Sequence, residues 1–206
     1  MKRRQSQALK AFDPNDPIQL KLLTKEFGEF RAVDELTLSI KQNEIIALLG
    51  HNGAGKTTAI HMLCGMLMPT RGDAILHGKS IKHDTDEVRS AIGLCQQHDV
   101  LFENVSVEDH LRLARRIRKN CGGGPDEDAE IDEIMRITMM TEHRKKLTQK
   151  LSGGMKRKLS LGMALIGETQ TIILDEPSSG LDVESRQQVW ELIRELKKTR
   201  TIIMST

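Results

Sequence analysis

EIIALLGHNGAGKTTAIHML, residues 44–63, places an apolar run, a glycine-rich loop and a helical pattern in direct succession. The apolar run predicts a strand that is buried on both faces. Residues 50–57 match the pattern G-x-x-x-x-G-K-[ST], and a strand before the loop with a helix after it is the setting in which this pattern binds phosphate. We therefore expect an α/β fold built around a phosphate-binding loop.

The loop offers several kinds of group to a bound phosphate chain. Its glycines let successive backbone N–H groups turn toward phosphate oxygens, and the following helix adds its positive dipole end. Lys56 adds a point charge that we expect to act in both binding and catalysis, and Thr57 offers a hydroxyl to Mg²⁺. The predicted phosphate-binding residues are Gly50, Asn52, Gly53, Ala54, Gly55, Lys56, Thr57 and Thr58.

A pair of acids follows the apolar run TIIL at residues 171–174. This run predicts a central strand, which places Asp175 and Glu176 at the sheet edge where ligands bind. Neighbouring strand residues point to opposite sides, so we assign Asp175 to the Mg²⁺ shell and Glu176 to orienting and deprotonating an attacking water. Two solvated acids at a strand end are the alternative, and the phosphate loop in the same chain favours the catalytic interpretation.

A second glycine-rich helix start lies at LSGG, residues 151–154. The Ser152 hydroxyl and the N–H groups of Gly153 and Gly154 predict a second anion site. The cations at positions 156–158 crowd a helix start, where they oppose the dipole, and a bound anion would relieve that conflict. An ordinary N-cap with a solvated basic face is the alternative.

Composition limits the classes of protein that remain. The chain has 206 residues, 38% of them hydrophobic, and its formal charge of +2 is dispersed, so we expect no nucleic-acid partner. No apolar stretch approaches the roughly 20 residues of a membrane span, and the N-terminus lacks a secretory h-region. Three widely spaced cysteines indicate reduced thiols.

The remaining elements are read from periodicity. Residues 1–17 predict a flexible tail, and the alternating runs on either side of Gly28 predict an antiparallel hairpin. A helix capped by Ser106 and a helix beginning after Asp182 are predicted further along, with a glycine-rich loop at 121–125 between helices. TIIMST, residues 201–206, predicts another strand.

The phosphate loop, LSGG and ILDEP, in that order, resemble the ATP-binding cassette (ABC) family. The resemblance covers residues 18–206 and implies a P-loop NTPase fold: a RecA-like α/β core with a small antiparallel sheet and a helical subdomain inserted at about 98–166. It also implies ATP and Mg²⁺ as ligands and a head-to-tail dimer with a second nucleotide-binding domain. Transmembrane domains of the same or a partner polypeptide are the implied partners, at the cytoplasmic face of a membrane.

The same resemblance assigns further roles. Phe27 stands where the family stacks an aromatic ring on adenine. Gln97 matches the glutamine that touches Mg²⁺ and the attacking water. Ser152, Gly153 and Gly154 would close over the γ-phosphate held by the other cassette. Residues 179–182 fill a loop that crosses the dimer interface in the family, although Asp182 could equally be an N-cap.

The chain resembles, more narrowly, the A subfamily of eukaryotic lipid transporters in the segments GHNGAGKTT, QHDVLF and LSGGMKRKLS. Met155 replaces the usual signature glutamine, and members of this subfamily also carry methionine at that position. A switch histidine follows the strand that TIIMST resembles, and this sequence stops at Thr206. We therefore expect a fragment that lacks the last core strands and is poorly active by itself. Two alternatives stay open: a soluble ABC ATPase with a translation or nucleic-acid role, and a nucleotide-binding module without turnover.

Overall fold

A computed structural model describes residues 16–119, 126–167 and 169–206, and within these residues it contains two sheets and six α-helices. The predicted loop at 121–125 and nearly all of the predicted tail lie outside these residues. The strands are β1 (Ile18–Phe27), β2 (Phe30–Ile40), β3 (Ile45–Leu48), β4 (Arg71–Leu76), β5 (Lys79–Ser80), β6 (Ile92–Cys95), β7 (Thr171–Leu174) and β8 (Thr201–Ser205). The helices are α1 (Lys56–Leu63), α2 (Thr85–Ala91), α3 (Val107–Lys119), α4 (Glu127–Ile137), α5 (Gly153–Leu165) and α6 (Val183–Leu196), with short 3-10 turns at Thr141–His143 and Thr148–Lys150.

The first sheet is antiparallel. β1 and β2 form the predicted hairpin, and β4 and β5 extend it to four strands in the order β2-β1-β4-β5. Its inner face packs Ile18, Leu20 and Leu23 into one core with the buried face of α1. The hairpin and the small antiparallel sheet are therefore confirmed.

The second sheet is parallel and has the order β3-β8-β7-β6. All four residues of β7 are buried between β8 and β6, which confirms the predicted central strand. The strand predicted at residues 45–48 is present as β3, but its predicted burial on both faces was wrong, because β3 forms an edge of this sheet in the described residues, with Ala47 exposed. An edge strand pairs on one side only, so an apolar composition alone did not reveal its position.

β6 was missed by the sequence analysis. It has only four residues, too few for a clear periodicity, and its second residue is a glycine. A Cβ atom built at Gly93 would lie 1.9 Å from the carbonyl oxygen of Ala164, so the absence of a side chain is what lets α5 pack directly on this strand. The contact holds the last turn of α5 against β6.

Helices α3 and α6 begin at the predicted caps, whereas α2 was not predicted. The Ser106 hydroxyl accepts a hydrogen bond from the backbone N–H of Asp109 before α3, and Asp182 accepts one from the backbone N–H of Ser185 at the start of α6. Helices α3, α4 and α5 share a hydrophobic core with β7 and α6. The limits of a helical subdomain at 98–166 stay a prediction.

Candidate functional site

A cleft of about 490 Å³ opens where the phosphate loop, the loop after β6 and the end of β7 meet. Its lining brings together residues that are far apart in the sequence: Phe27, Phe30, Ala32, Asn52, Gly53, Ala54, Gly55, Lys56, Thr57, Thr58, Gln97 and Glu176. Most of the predicted site residues therefore share one cavity. Asp175 directly precedes the lining residue Glu176, and Gly50 lies two positions before Asn52.

The phosphate loop is held in a shape that only glycine permits at one position. Gly55, the residue before α1, has a φ of 86°, and a Cβ atom there would lie 2.1 Å from the carbonyl oxygen of Ala32 on β2. The loop therefore lies directly against the antiparallel sheet. Lys56 folds back over it, and its Nζ donates to the carbonyl oxygen of Gly50 at 2.6 Å and to that of His51 at 3.4 Å. The ammonium group thus lies against the first two residues of the loop.

The two acids after β7 lie at the carboxyl edge of the parallel sheet, as predicted. Asp175 is buried, and its Oδ1 accepts a hydrogen bond from Ser205 Oγ at 2.5 Å. The same hydroxyl oxygen accepts from the backbone N–H of Glu176 at 3.0 Å. Ser205 therefore holds both acids at once. The sequence predicted Ser205 only as part of a strand. Its role was missed because the hydroxyl contacts an acid 30 residues earlier in the chain.

Glu176 and Gln97 make direct contact. The Gln97 side-chain amide donates to Glu176 Oε2 at 2.8 Å, which places the carboxylate at the cleft and the amide beside it. Glu176 has a φ of 45°, in the left-handed region, which costs a residue with a side chain about 1–2 kcal/mol. Glu176 thus lines the cleft, while its neighbour Asp175 is buried.

Two aromatic rings stand at the mouth of the cleft. Phe27 is half exposed, and Lys25 Nζ lies 5.2 Å from the centre of its ring. Phe30, across the hairpin turn, is 62% exposed and lines the same cleft. Only Phe27 was predicted from the sequence as an adenine-stacking ring. A residue two positions beyond the glycine turn could have been found from hairpin geometry, because Phe27 and Phe30 are paired in register.

The LSGG segment does not line this cleft. Ser152 and Gly153 are exposed at the start of α5, and the Ser152 hydroxyl accepts a hydrogen bond from the backbone N–H of Met155 at 3.3 Å. Gly154 is buried, and a Cβ atom there would lie 2.4 Å from Ser185 Oγ on α6. Ser152 and Gly153 are therefore accessible to an anion that is not bound in this cleft.

The prediction that Arg157 adds charge to that helix start was wrong. Its guanidinium points into the protein and donates to five backbone carbonyl oxygens and to the carboxylate of Asp99. Lys158 donates to the side-chain carbonyl of Gln188 at 2.7 Å. Internal carbonyl groups and side chains therefore take up these cations, and the conflict with the helix dipole needs no bound anion to relieve it.

Two thiols lie within the core rather than in the cleft. Burial raises the pKa of both Cys64 and Cys95 to about 12, and the charge of Asp175 adds to the effect at Cys64. Both are free cysteines, as predicted for these two positions. Protonated, buried thiols are neither nucleophiles nor metal ligands. The chemistry of the site therefore rests on oxygen and nitrogen groups.

A glycine loop at a helix start, a lysine over it and two acids at the neighbouring strand end define a P-loop nucleotide-binding domain. The description "ABC transporter" matches residues 33–179, and the chain belongs to that family. None of the helices in residues 16–119, 126–167 and 169–206 has the length and hydrophobicity of a membrane span.

Two similar proteins agree with this family assignment. The chain is 40% identical over 197 residues to the Mus musculus phospholipid-transporting ATPase ABCA3, which covers 92% of this chain and 11% of that protein. It is 40% identical over 186 residues to Homo sapiens ATP-binding cassette sub-family A member 2, covering 89% of this chain and 8% of that protein. The chain thus spans about a tenth of the length of these relatives, and the predicted resemblance to the A subfamily is confirmed.

A solved structure gives the same fold. The protein cbiO1 of Clostridium perfringens, described as part of the ABC transporter complex cbiONQ, superposes with a TM-score of 0.83 at 27% identity. The match covers 92% of this chain and 78% of that one. The predicted P-loop NTPase fold, with its α/β core and small antiparallel sheet, is confirmed.

Proposed function

We propose that this chain binds ATP with Mg²⁺ and hydrolyses it, as the energy-coupling domain of a membrane transporter. The observation that carries the proposal is the cleft itself, in which the phosphate loop faces a Gln97–Glu176 pair. A phosphate-binding half and a water-activating half share one cavity of about 490 Å³, a volume in the range of small-molecule sites.

Binding uses the loop and the aromatic rings. The N–H groups of residues 52–58 and the Lys56 ammonium group would take the phosphate oxygens, and Phe27 and Phe30 offer ring faces at the mouth for the base. Lys56 now donates to loop carbonyls at 2.6 and 3.4 Å, so a phosphate group would replace weak backbone acceptors by a charged one.

The residues present fit Mg²⁺. The Thr57 hydroxyl, the Asp175 carboxylate and the Gln97 side-chain oxygen are hard oxygen donors, the type that this ion prefers. Asp175 is buried with one oxygen held by Ser205, which leaves its other oxygen for the ion or an ion-bound water. When bound, the ion neutralises charge on the β- and γ-phosphates.

Glu176 would act as the general base. Its carboxylate accepts the proton of the attacking water while Gln97, 2.8 Å away, orients that water and the carboxylate together. The strained φ of 45° fixes the direction of the carboxylate before a nucleotide arrives. The water oxygen would bond to the γ-phosphorus as the bond from that phosphorus to the β–γ bridging oxygen breaks, which would leave ADP and inorganic phosphate.

The partners follow from family membership and from the position of LSGG. We propose a head-to-tail dimer in which Ser152 and Gly153 of one copy close over the γ-phosphate in the other, because they are exposed and lie outside their own cleft. Transmembrane domains would hold the dimer at the cytoplasmic face of a membrane. Since one relative is named a phospholipid-transporting ATPase, we propose a lipid as the cargo.

Titration calorimetry with ATP, in EDTA and in Mg²⁺, tests the proposal. We expect binding that strengthens with Mg²⁺ and falls at least tenfold in Lys56→Met, which removes the charge over the loop. Lys41→Met is the matched control. Lys41 is exposed at the start of the turn between β2 and β3 and does not line the cleft, so this variant should bind ATP as the unchanged chain does. Absence of any Mg²⁺-dependent ATP binding in the unchanged chain would rule out the proposed function.

A further inference from the structure

One buried cation connects two of the segments that meet at the cleft, the end of β7 and the loop after β6. Arg157, on the second turn of α5, is 3% exposed. Its Nε donates to the carbonyl oxygen of Pro177 at 2.9 Å, and its Nη2 donates to those of Asp175 at 3.0 Å and Glu176 at 3.2 Å. A single guanidinium therefore binds three successive carbonyl groups at the end of β7.

The same guanidinium also holds the loop after β6. Nη1 donates to the carbonyl oxygen of Gln96 at 2.5 Å and to that of Gln97 at 3.3 Å, and it lies 3.3 Å from the Asp99 carboxylate. Asp99 is the one acid paired with it in the described residues, so the rest of its hydrogen bonding goes to peptide dipoles. Arg157 thus spans 61 residues of sequence on one side and 20 on the other.

We propose that Arg157 is a positioning residue that fixes the Gln97–Glu176 pair and ties it to the LSGG end of α5. This inference rests on the proposed function for its meaning and on the contacts above for its geometry. Arg157 does not itself line the cleft, and it contacts the lining residues Gln97 and Glu176 only at their backbone carbonyl oxygens. It acts through the backbone of the two residues whose side chains meet at 2.8 Å.

The backbone of Glu176 shows why such a residue is needed. Its φ of 45° is unfavourable for a residue with a side chain, and such a conformation persists only where its surroundings hold it. Ser205 Oγ holds the N–H of Glu176, and Arg157 Nη2 holds its carbonyl oxygen. The two bonds grip the peptide groups on both sides of the strained Cα and so set the direction of the carboxylate.

Arginine suits this position better than lysine does. A guanidinium offers five N–H donors in a fixed plane, and here they reach five carbonyl groups and one carboxylate. An ammonium offers three donors at one point, so it can hold one of the two loops or part of both. Helix α5 begins at Gly153, beside the exposed N-cap Ser152. A displacement of this end of the helix would therefore move Arg157 and, with it, the loop after β6 and the residues that follow β7.

The test compares Arg157→Met and Arg157→Lys with the unchanged chain by two measurements. ATP titration in EDTA and in Mg²⁺ gives the Mg²⁺-dependent gain in affinity, and hydrogen exchange gives the protection of the Glu176 amide, which donates to Ser205. Arg200→Met is the matched control. Arg200 is half-buried and donates to a backbone carbonyl, that of Thr169, at the opposite end of the same sheet.

We expect Arg157→Met to bind ATP in EDTA within about twofold of the unchanged chain, because the phosphate loop is intact. The Mg²⁺-dependent gain should fall by about 10- to 100-fold, the usual cost of losing a group that orients metal ligands, and the Glu176 amide should exchange at least about tenfold faster. Arg157→Lys should recover part of both effects. Arg200→Met should change neither.

Three outcomes decide between the possibilities. An unchanged Mg²⁺ gain with unchanged Glu176 exchange in Arg157→Met overturns the inference. If that variant does not fold, Arg157→Lys decides alone, and values equal to those of the unchanged chain overturn it. If the unchanged chain shows no Mg²⁺-dependent binding, the proposed function fails, and faster Glu176 exchange in the variants still supports the positioning role.

Discussion

Ser205 shows how much one hydroxyl can organise. It donates to Asp175 and accepts from the N–H of Glu176, so two acids proposed to have different roles share one anchor. A hydroxyl is suited to this because it is a donor and an acceptor at the same atom. The separation of the two carboxylates therefore depends on a residue from another strand as well as on the alternation of side chains along β7.

Replacing that hydroxyl should be costly. Ser205→Ala leaves a buried carboxylate oxygen and a backbone N–H without their partner, which we expect to lower the free energy of unfolding by about 1–3 kcal/mol. It should also weaken the Mg²⁺-dependent part of ATP binding. Urea unfolding and ATP titration would measure both effects.

The control for this change is Ser160→Ala. The Ser160 Oγ atom is buried and has no hydrogen-bond partner among the described residues. Its removal should leave the unfolding free energy the same or slightly higher, because a desolvated group is lost and no bond is broken. Equal losses in the two variants would show that the Ser205 bonds do not stabilise the fold.

At the scale of elements, the phosphate loop depends on its contact with the antiparallel sheet. Gly55→Ala would force a side chain at a φ of 86° into the Ala32 carbonyl oxygen, 2.1 Å away. Gly78→Ala meets the same backbone problem at a φ of 80° with nothing within 4 Å. We expect Gly55→Ala to cost at least about 2 kcal/mol more than Gly78→Ala, as overpacking does. Urea midpoints of the two variants give this difference directly, and similar midpoints would contradict it.

A second test at this scale uses pH. Glu108, in the first turn of α3, lies 2.7 Å from Lys145 Nζ and 2.7 Å from Arg112 Nη2. Hydrogen bonds from Lys145 and then from Arg112 lower the pKa of Glu108 to about 2. A depressed pKa stabilises the folded state fully above the unfolded pKa of about 4.5, and the stabilisation is lost as the pH falls toward 2.

We therefore expect the unfolding free energy to drop by on the order of 2 kcal/mol between pH 4.5 and pH 2 through this residue. Glu108→Gln should remove that part of the slope and lower stability at neutral pH. Glu103→Gln, at an exposed position nearby, is the control and should leave the slope unchanged. Urea unfolding at a series of pH values measures it, and an equal slope in all three proteins would refute the role of Glu108.

Local patterns predicted several of the helices and strands, but they did not predict the long-range contacts. Alternation identified the β1–β2 hairpin, and the Asp182 cap identified the start of α6. β6 was too short to show a period, and the edge position of β3 depends on where β8 inserts. The bonds of Arg157 and Ser205 reach partners 18 to 61 residues away, and the choice of such partners leaves no local signal in the sequence.

For the whole molecule, the proposed dimer gives a further prediction. Gly153 is exposed, and a Cβ atom there would have only Leu181 Cδ2 within 4 Å, at 3.9 Å, so Gly153→Asp should fold normally. Its carboxylate would repel the γ-phosphate of a partner copy. In a Glu176→Gln background, which removes the base, ATP should produce dimers that Gly153→Asp prevents.

Sedimentation velocity with and without MgATP would measure these dimers. ATP titration of the same variants separates the two steps, because we expect the first ATP to bind the cleft with similar affinity in both. Dimers that persist in the double variant would contradict the head-to-tail arrangement.

The strand order of the parallel sheet has a consequence for synthesis of the chain. β8 lies between β3 and β7, although it is the last strand of the described residues to be made. On the ribosome, the nascent β3 and β7 cannot pair with β8, the strand between them, until residue 205 has left the exit tunnel. The β1–β2 hairpin can already form before that point. During that interval their apolar edges are open to chaperones or to other chains, so translation speed over the last third of the sequence should affect the yield of folded protein.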